Sequence, residues 1–194
     1  MKRWILFSAA LLAALTATAA ALQMDQQALA GKLVRLHVVA NSDSDQDQAW
    51  KLQVRDAVLE VADGLDRDGL AAALPQIEQA AEARLRALGS SQEVCVTLAE
   101  EHFPTRKYDT FALPAGVYTS LRVVIGDGAG KNWWCVTFPS ICLCASAEEL
   151  KAAAASAGFT EQEIAFISEE KPYQLKFWTL EQLQRLKIWL NSKK

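Results

Sequence analysis

The stretch that decides the fold is VYTSLRVVIGDGAGKNWWCVTF, residues 117–138. Val117 to Ile125 is rich in β-branched residues, and Asn132 to Phe138 is a second apolar run beyond a glycine-rich break, Gly126-Asp127-Gly128-Ala129-Gly130. Two such runs joined by a glycine-rich turn predict a β-hairpin. Upstream, Val94, Val96 and Leu98 alternate with Cys95, Thr97 and Ala99, which predicts another strand. Thr105 to Leu113 reads as a bent strand or an extended loop. A first strand is predicted at Leu33 to Ala40, with Val34, Leu36 and Val38 on one side and Arg35, His37 and Val39 on the other.

Two helices fill the gap between the first strand and the rest. Trp50, Val54, Ala57, Val61 and Leu65 form one apolar stripe, and Leu70, Leu74, Ile77, Ala81, Leu85 and Leu88 form another. Asn41-Ser42-Asp43-Ser44 is a turn whose Ser44 or Asp43 caps the first helix, with Asp45 and Asp47 at its positive end. Pro75 is expected to open the longer part of the second helix. A short alanine-rich helix is predicted at Glu148 to Ala157, and Leu180, Leu183, Leu186 and Leu190 mark a final amphipathic one. The order strand, two helices, strands, helices predicts an α+β fold, largely antiparallel, with helices covering one face.

The first residues are of a different kind. Lys2 and Arg3 precede an apolar run from Trp4 to Leu15, and Ala17-Thr18-Ala19 and Ala19-Ala20-Ala21 have the small-x-small pattern of a cleavage site. This reads as a signal peptide over residues 1–22. An uncleaved anchor is the alternative, because Trp4 to Leu22 is long enough to span a bilayer as a helix. In either case the body is exported, and membrane contact is expected only through residues 4–22 of an uncleaved chain. A polar linker is expected at 23–32, a folded domain at 33–145, and a C-terminal helical extension at 146–194.

The net charge is −3, and the leader carries two positive charges, so the remainder is near −5. No lysine and arginine cluster is present to bind phosphates, which argues against nucleic acid. The chain has four cysteines, Cys95, Cys135, Cys142 and Cys144. In an exported protein they read as disulfide candidates. Cys135 and Cys142 flank the turn-like Thr137-Phe138-Pro139-Ser140, which leaves Cys95 and Cys144; buried free thiols are the alternative.

No cofactor or metal is implied. The only histidines are His37 and His102, and no H-E-x-x-H or G-x-S-x-G motif is present. His37 with Ser42 or Asp43 would offer a base, a hydroxyl and a carboxylate, the parts of a hydrolase. Turn formation and helix capping account for Asn41, Ser42 and Asp43 without catalysis. Gly126-x-Gly128-x-Gly130 leads into a strand and not a helix, so it is not a phosphate loop. Trp133 and Trp134 are adjacent on a strand and therefore face opposite sides of the sheet. One enters the core; the other needs a cover from the fold or from a partner.

Two runs carry a family resemblance. The first is Leu36-His37-Val38-Val39-Ala40-Asn41-Ser42-Asp43-Ser44, continued by Asp47-Gln48 and by Lys51-Leu52-x-Val54-Arg55-Asp56-Ala57-Val58-Leu59. The second runs from Leu113-Pro114-Ala115-Gly116 through Tyr118, Ser120-Leu121-Arg122-Val123-Val124-Ile125 and Asn132-Trp133-Trp134-Cys135-Val136 to Phe138-Pro139, with Cys142 beyond. Together they resemble stage II sporulation protein R, over about residues 33–145. The resemblance implies a protein made in the forespore and exported into the space between forespore and mother cell. It implies a partner there, a membrane-bound aspartic protease that processes pro-sigma-E. The chain would then be a signal and not an enzyme. His37, Asn41, Asp43, Arg122, Asn132, Trp133 and Trp134 are the candidates for the contact.

Overall fold

A computed structural model describes residues 2–141, 144–168 and 173–191. The elements in chain order are α1 (Lys2–Gly31), β1 (Val34–Val39), α2 (Asp45–Ala62), α3 (Arg67–Ala87), β2 (Val94–Phe103), β3 (Arg106–Lys107), β4 (Ala112–Leu113), β5 (Gly116–Ile125), β6 (Asn132–Phe138), α4 (Ala147–Ser156), α5 (Glu161–Ile167) and α6 (Tyr173–Asn191). The fold is α+β, with a mainly antiparallel four-stranded sheet in the order β2-β5-β1-β6.

That order corrects the hairpin. β5 and β6 are not neighbours, because β1 lies between them, parallel to β5 and antiparallel to β6. The glycine loop therefore arches over the end of β1. Its amides bind what they cross: Ala129 N donates to Asn41 O at 3.0 Å and Gly130 N to Ala40 O at 2.9 Å. Asp127 N donates to Asn41 Oδ1 at 3.0 Å, and Lys131 N to Asp43 Oδ1 at 2.7 Å. Glycine is required by this approach, since a Cβ on Gly130 would lie 2.2 Å from Ser42 O. Local pattern specified two strands and a sharp connection, but pairing is a long-range property.

Ser44 caps α2, its Oγ accepting from Asp47 N at 3.2 Å. The Asp47 carboxylate accepts from Ser42 Oγ, from Asn41 Nδ2 at 3.0 Å and from Gln92 Nε2 at 2.9 Å. These donors favour the charged form and hold its pKa down at about 2. α3 runs from Arg67 to Ala87 with Pro75 inside it, so the proline does not open a helix. Pro75 is on the exposed side, where a missing backbone bond is solvated, and Ala73 and Ile77 anchor the helix around it.

The sheet is covered on both faces, not one. On the first face Leu36, Val38, Val96, Leu121, Val123 and Ile125 pack with Val54 and Val58 of α2 and Leu70, Ile77 and Leu85 of α3. On the second, Tyr118 and Val136 join Leu29, Phe111, Leu113, Leu150, Ile164 and Ile167. The C-terminal helices α4 and α5 thus belong to the folded body instead of extending from it. The expected linker at 23–32 is helical through Gly31. Gln26, Leu29 and Ala30 are buried, and Lys32 Nζ donates to Glu163 Oε2 at 2.7 Å. α1 reaches its seat beside β5 because Gly116 has no side chain there; a Cβ would lie 2.0 Å from Gln26 Nε2.

Replacing Gly130 by alanine is expected to destabilise the fold by about 2–3 kcal/mol, because the clash is with backbone. Gly31→Ala, with open space around it, is expected to change stability by less than about 1 kcal/mol. Thermal unfolding of both variants measures this.

Candidate functional site

β1 is central and every residue of it is buried. Its second-face side chains, Arg35 and His37, are the unusual ones, since large polar groups are seldom fully enclosed. Arg35 is 0% exposed. Its guanidinium stacks over Phe103 at 4.1 Å and Tyr118 at 5.0 Å, and its Nη2 donates to the Tyr108 hydroxyl at 3.3 Å. Arg35 Nε and Nη1 have no hydrogen-bond partner among the described residues. The aromatic faces supply the attraction that a carboxylate would otherwise supply. Tyr118 donates to Pro114 O at 2.7 Å, and burial pushes its hydroxyl up to about 12.

His37 stands two residues along the same face, opposite Trp134 in the β1–β6 register. The two rings stack at 4.9 Å and 11°. Phe103 closes edge-on to both, at 5.8 Å from His37 and 5.3 Å from Trp134. His37 Nε2 meets Glu101 Oε2 at 2.8 Å, and Glu101 Oε1 also meets Arg122 Nη1 at 3.4 Å. Burial lowers the His37 pKa below its ordinary 6.5; Glu101 opposes this, while Arg122 and Arg35 add to it. Neutral His37 therefore donates from Nε2 to Glu101. Arg106, from the β3–β4 hairpin, lays its guanidinium over the outer part of the cluster, 4.7 Å from the Trp134 ring.

Of the expected contact residues, the fold brings His37, Arg122 and Trp134 together. Asn132 lies on the same side of β6, exposed at its start. Trp133 is on the opposite face, packed on the first core with the Arg55 guanidinium 4.7 Å above it. Asn41 and Asp43 are clamps in the loop, each accepting a backbone amide from the glycine loop. Arg122 pairs with Glu101, on the face of the sheet away from α2. His37 and Ser42 are engaged separately: His37 by Glu101, Ser42 Oγ by Asp47.

The cysteines also separate. Cys135 is disulfide-bonded, and Cys142 lies outside the described residues. Cys95 and Cys144 are free thiols, so they do not pair with each other as expected. The sheet order explains this: Cys95 is on edge strand β2, Cys144 follows β6 at the other edge, and two strands intervene. Strands ~4.8 Å apart put the two edges roughly 14 Å apart, well beyond disulfide reach.

Sequence reading missed Arg35, Phe103, Arg106 and Glu101. Arg35 and His37 alternate with valines and leucine, a pattern that normally means a solvated face. Only the second layer, which includes Phe103, Phe111 and α1, turns that face inward.

The α+β domain is covered on both faces of its sheet, and the second face carries a cluster of aromatic and charged side chains contributed by all four strands, Glu101, Arg122, His37 and Trp134. The chain belongs to the stage II sporulation protein R family, whose model matches residues 30–148. It is 36% identical over 118 residues to "Stage II sporulation protein R" of Bacillus subtilis (strain 168), covering 56% of this chain and 53% of the relative. The chain thus matches about half the length of that curated relative. No solved structure matches. Membership supports a role in sporulation.

Arg35→Met removes a buried charge without a carboxylate partner. Stability is expected to stay level or rise by up to about 3 kcal/mol, measured by urea unfolding; a large loss would mean that the aromatic cage stabilises the charge outright. A second expectation concerns pH. Because the folded His37 pKa is below 6.5, its contribution is present above the unfolded pKa and is lost as pH falls through 6.5 and below. The melting temperature should therefore drop between pH 7.5 and 5, and His37→Gln should flatten that drop.

Proposed function

We propose that this chain is an exported sporulation signal that acts by binding. On this reading it is made in the forespore and delivered into the space between forespore and mother cell. There it binds a membrane-bound aspartic protease in the mother-cell membrane and switches on processing of pro-sigma-E. The observation that carries the reading is the family match over residues 30–148, which takes in the whole four-stranded sheet and the first core. The N-terminal helix, long and apolar enough to cross a membrane by length and composition, supports export as a signal or an anchor.

A binding signal works only if it prefers one state of its receptor. A rigid face suits that task better than a mobile one, because little entropy is lost on docking. The face that fits is the one around Trp134, His37, Glu101, Arg106 and Arg122, whose rings and ion pairs hold one another in place. Trp and Arg are the residue types that most often carry binding energy. Asn41, Asp43 and Trp133 act at one remove, by fixing the loops and the first core. On this reading Cys135 pairs with Cys142, the two cysteines that flank the turn-like Thr137-Phe138-Pro139-Ser140 in the sequence. The alternative, a hydrolase using His37 with Ser42 or Asp43, lacks a contact between its parts.

The test is co-expression of the chain with its membrane protease and pro-sigma-E in a non-sporulating host. Processing is expected to require an exported copy. Trp134→Ala and Arg122→Glu are each expected to reduce it at least tenfold, while Trp133→Phe and Ser42→Ala leave it within twofold if the variants fold. Full processing by a folded, exported Trp134→Ala, Arg122→Glu double variant would sink the assigned face. No processing by the folded, exported parent chain would sink the signal reading itself.

A further inference from the structure

β2 is an edge strand of the sheet, and the bonds on its inner side fix what its outer side presents. Gly126 N donates to Glu93 O at 2.8 Å, and the β2–β5 register runs on from that pair without a break through Phe103. Alternate residues of an antiparallel ladder bond the neighbour, so the odd-numbered residues of β2 bond β5 and the even-numbered ones turn their amides and carbonyls outward. Val96 agrees: its amide leaves the sheet and donates to Glu78 Oε2 of α3 at 3.3 Å. Further along, the outward backbone groups of Leu98, Glu100 and His102 have no hydrogen-bond partner among the described residues. Sheet edges are ordinarily blunted by a bulge, a proline or a lysine. Residues 98–102 carry none of these, and Ala99, Glu100 and His102 are exposed.

Two observations identify what this edge takes. The first is charge. Val94 and Val96 lie in the first core, so Glu100, in step with them, is on the α3 side of the sheet. Glu78 of α3 lines an open groove of about 340 Å3 there, with Leu74, Pro75, Gln79 and Glu82. Glu82 pairs with Arg86, and Glu101 with His37 and Arg122. Glu78 and Glu100 are left as carboxylates without a cation among the described residues. The second is that β2 cannot pair well with itself. A two-fold copy would set Glu100 opposite its own counterpart, and like charges directly opposite destabilise a sheet. Shifting the register by two residues one way calls on the Val96 amide, already held by Glu78. Shifting it the other way calls on Pro104, which has no amide.

We propose that the edge Leu98–His102 takes up an extended segment of another protein, bearing lysine or arginine, as a fifth strand of the sheet. Main-chain hydrogen bonds to Leu98, Glu100 and His102 supply the affinity, and alternate side chains supply the selectivity. A lysine or arginine opposite Glu100 provides the cation that Glu78 and Glu100 lack. The amide of Val96 is already closed by Glu78, so pairing starts at Leu98, and Pro104 ends it. This surface is at the opposite edge of the sheet from Trp134 on β6, and the inference does not depend on what binds there.

The experiment uses the full chain in detergent micelles. The probe is a fluorescent, end-blocked hexapeptide of alternating lysine and valine, followed by anisotropy. It is expected to bind, and the matching glutamate and valine peptide to bind at least tenfold more weakly. Two further versions of the probe carry N-methyl groups on one or the other set of alternate amides. Only one set can face β2, so one version is expected to bind at least tenfold worse than the other. Hydrogen exchange at the Leu98, Glu100 and His102 amides should slow at least tenfold when the probe is saturating. Glu100→Lys is expected to weaken binding at least tenfold. Glu100→Pro, which removes an outward amide and no bond to β5, should do the same. Glu60→Lys, the same charge change at an exposed site on α2, should leave binding within twofold. Unfolding curves check each variant, and Glu100→Lys decides the matter if the proline variant does not fold. No binding of the lysine and valine probe to the folded chain would overturn the inference. So would equal affinity of the two methylated probes, or full binding by folded Glu100→Lys. A concentration-dependent dimer that the probe dissociates would also overturn it, by making a second copy the occupant.

Discussion

The insertion of β1 between β5 and β6 governs the rest of the molecule. A strand with neighbours on both edges and layers on both faces has no route to solvent for any side chain, so all six of its residues are buried. It also forces the connection between β5 and β6 to pass over its end. The loop that does so is fastened by four hydrogen bonds whose acceptors are the Ala40 and Asn41 carbonyls and the Asn41 and Asp43 side chains. Each backbone amide that the crossover removes from a sheet ladder is returned a partner, as a buried backbone requires. The two sequence runs that carry the family resemblance are therefore two halves of one joint.

The two faces of the sheet use different physics. The first is a hydrophobic layer against α2 and α3, stabilised by area removed from water. The second contains a buried arginine, a histidine and three aromatic rings, with Glu101 and Arg122 beside them. Charge burial of this kind costs several kcal/mol unless compensated, and cation–π contacts return roughly 0.5–2 kcal/mol each. Such a cluster is a poor way to stabilise a core and a good way to hold polar groups rigidly at a surface. Stability comes from the first face and from the shell of α1, α4 and α5, and the cluster is carried by them.

The ends of the chain are integrated in the same way. α1 does not hang from the body; its last turns complete the second core beside Phe111 and Ile167. α5 is tied to it through Lys32 and Glu163, and Glu163 in turn closes a capping box with Thr160. The N-terminal helix and the sheet that bears the cluster therefore pack as one body.

Sequence alone determined the strands at 34–39, 94–99, 117–125 and 132–138, the two helices after the first strand, the Ser44 cap and the α+β class. Each of these is written locally, in hydrophobic period, capping chemistry or turn residues. It also placed Trp133 and Trp134 on opposite faces, because alternation along a strand is local too. Tertiary structure decided the rest: that β1 separates β5 from β6, that Pro75 lies within a helix, and that residues 23–31 are a docked helix and not a linker. It also decided that Cys95 and Cys144 lie at opposite edges of the sheet, and that Arg35 and His37 face inward to Phe103, Trp134 and Glu101. These depend on which segments meet across large sequence separations, as His37 meets Glu101 sixty-four residues away, and no local period encodes that choice.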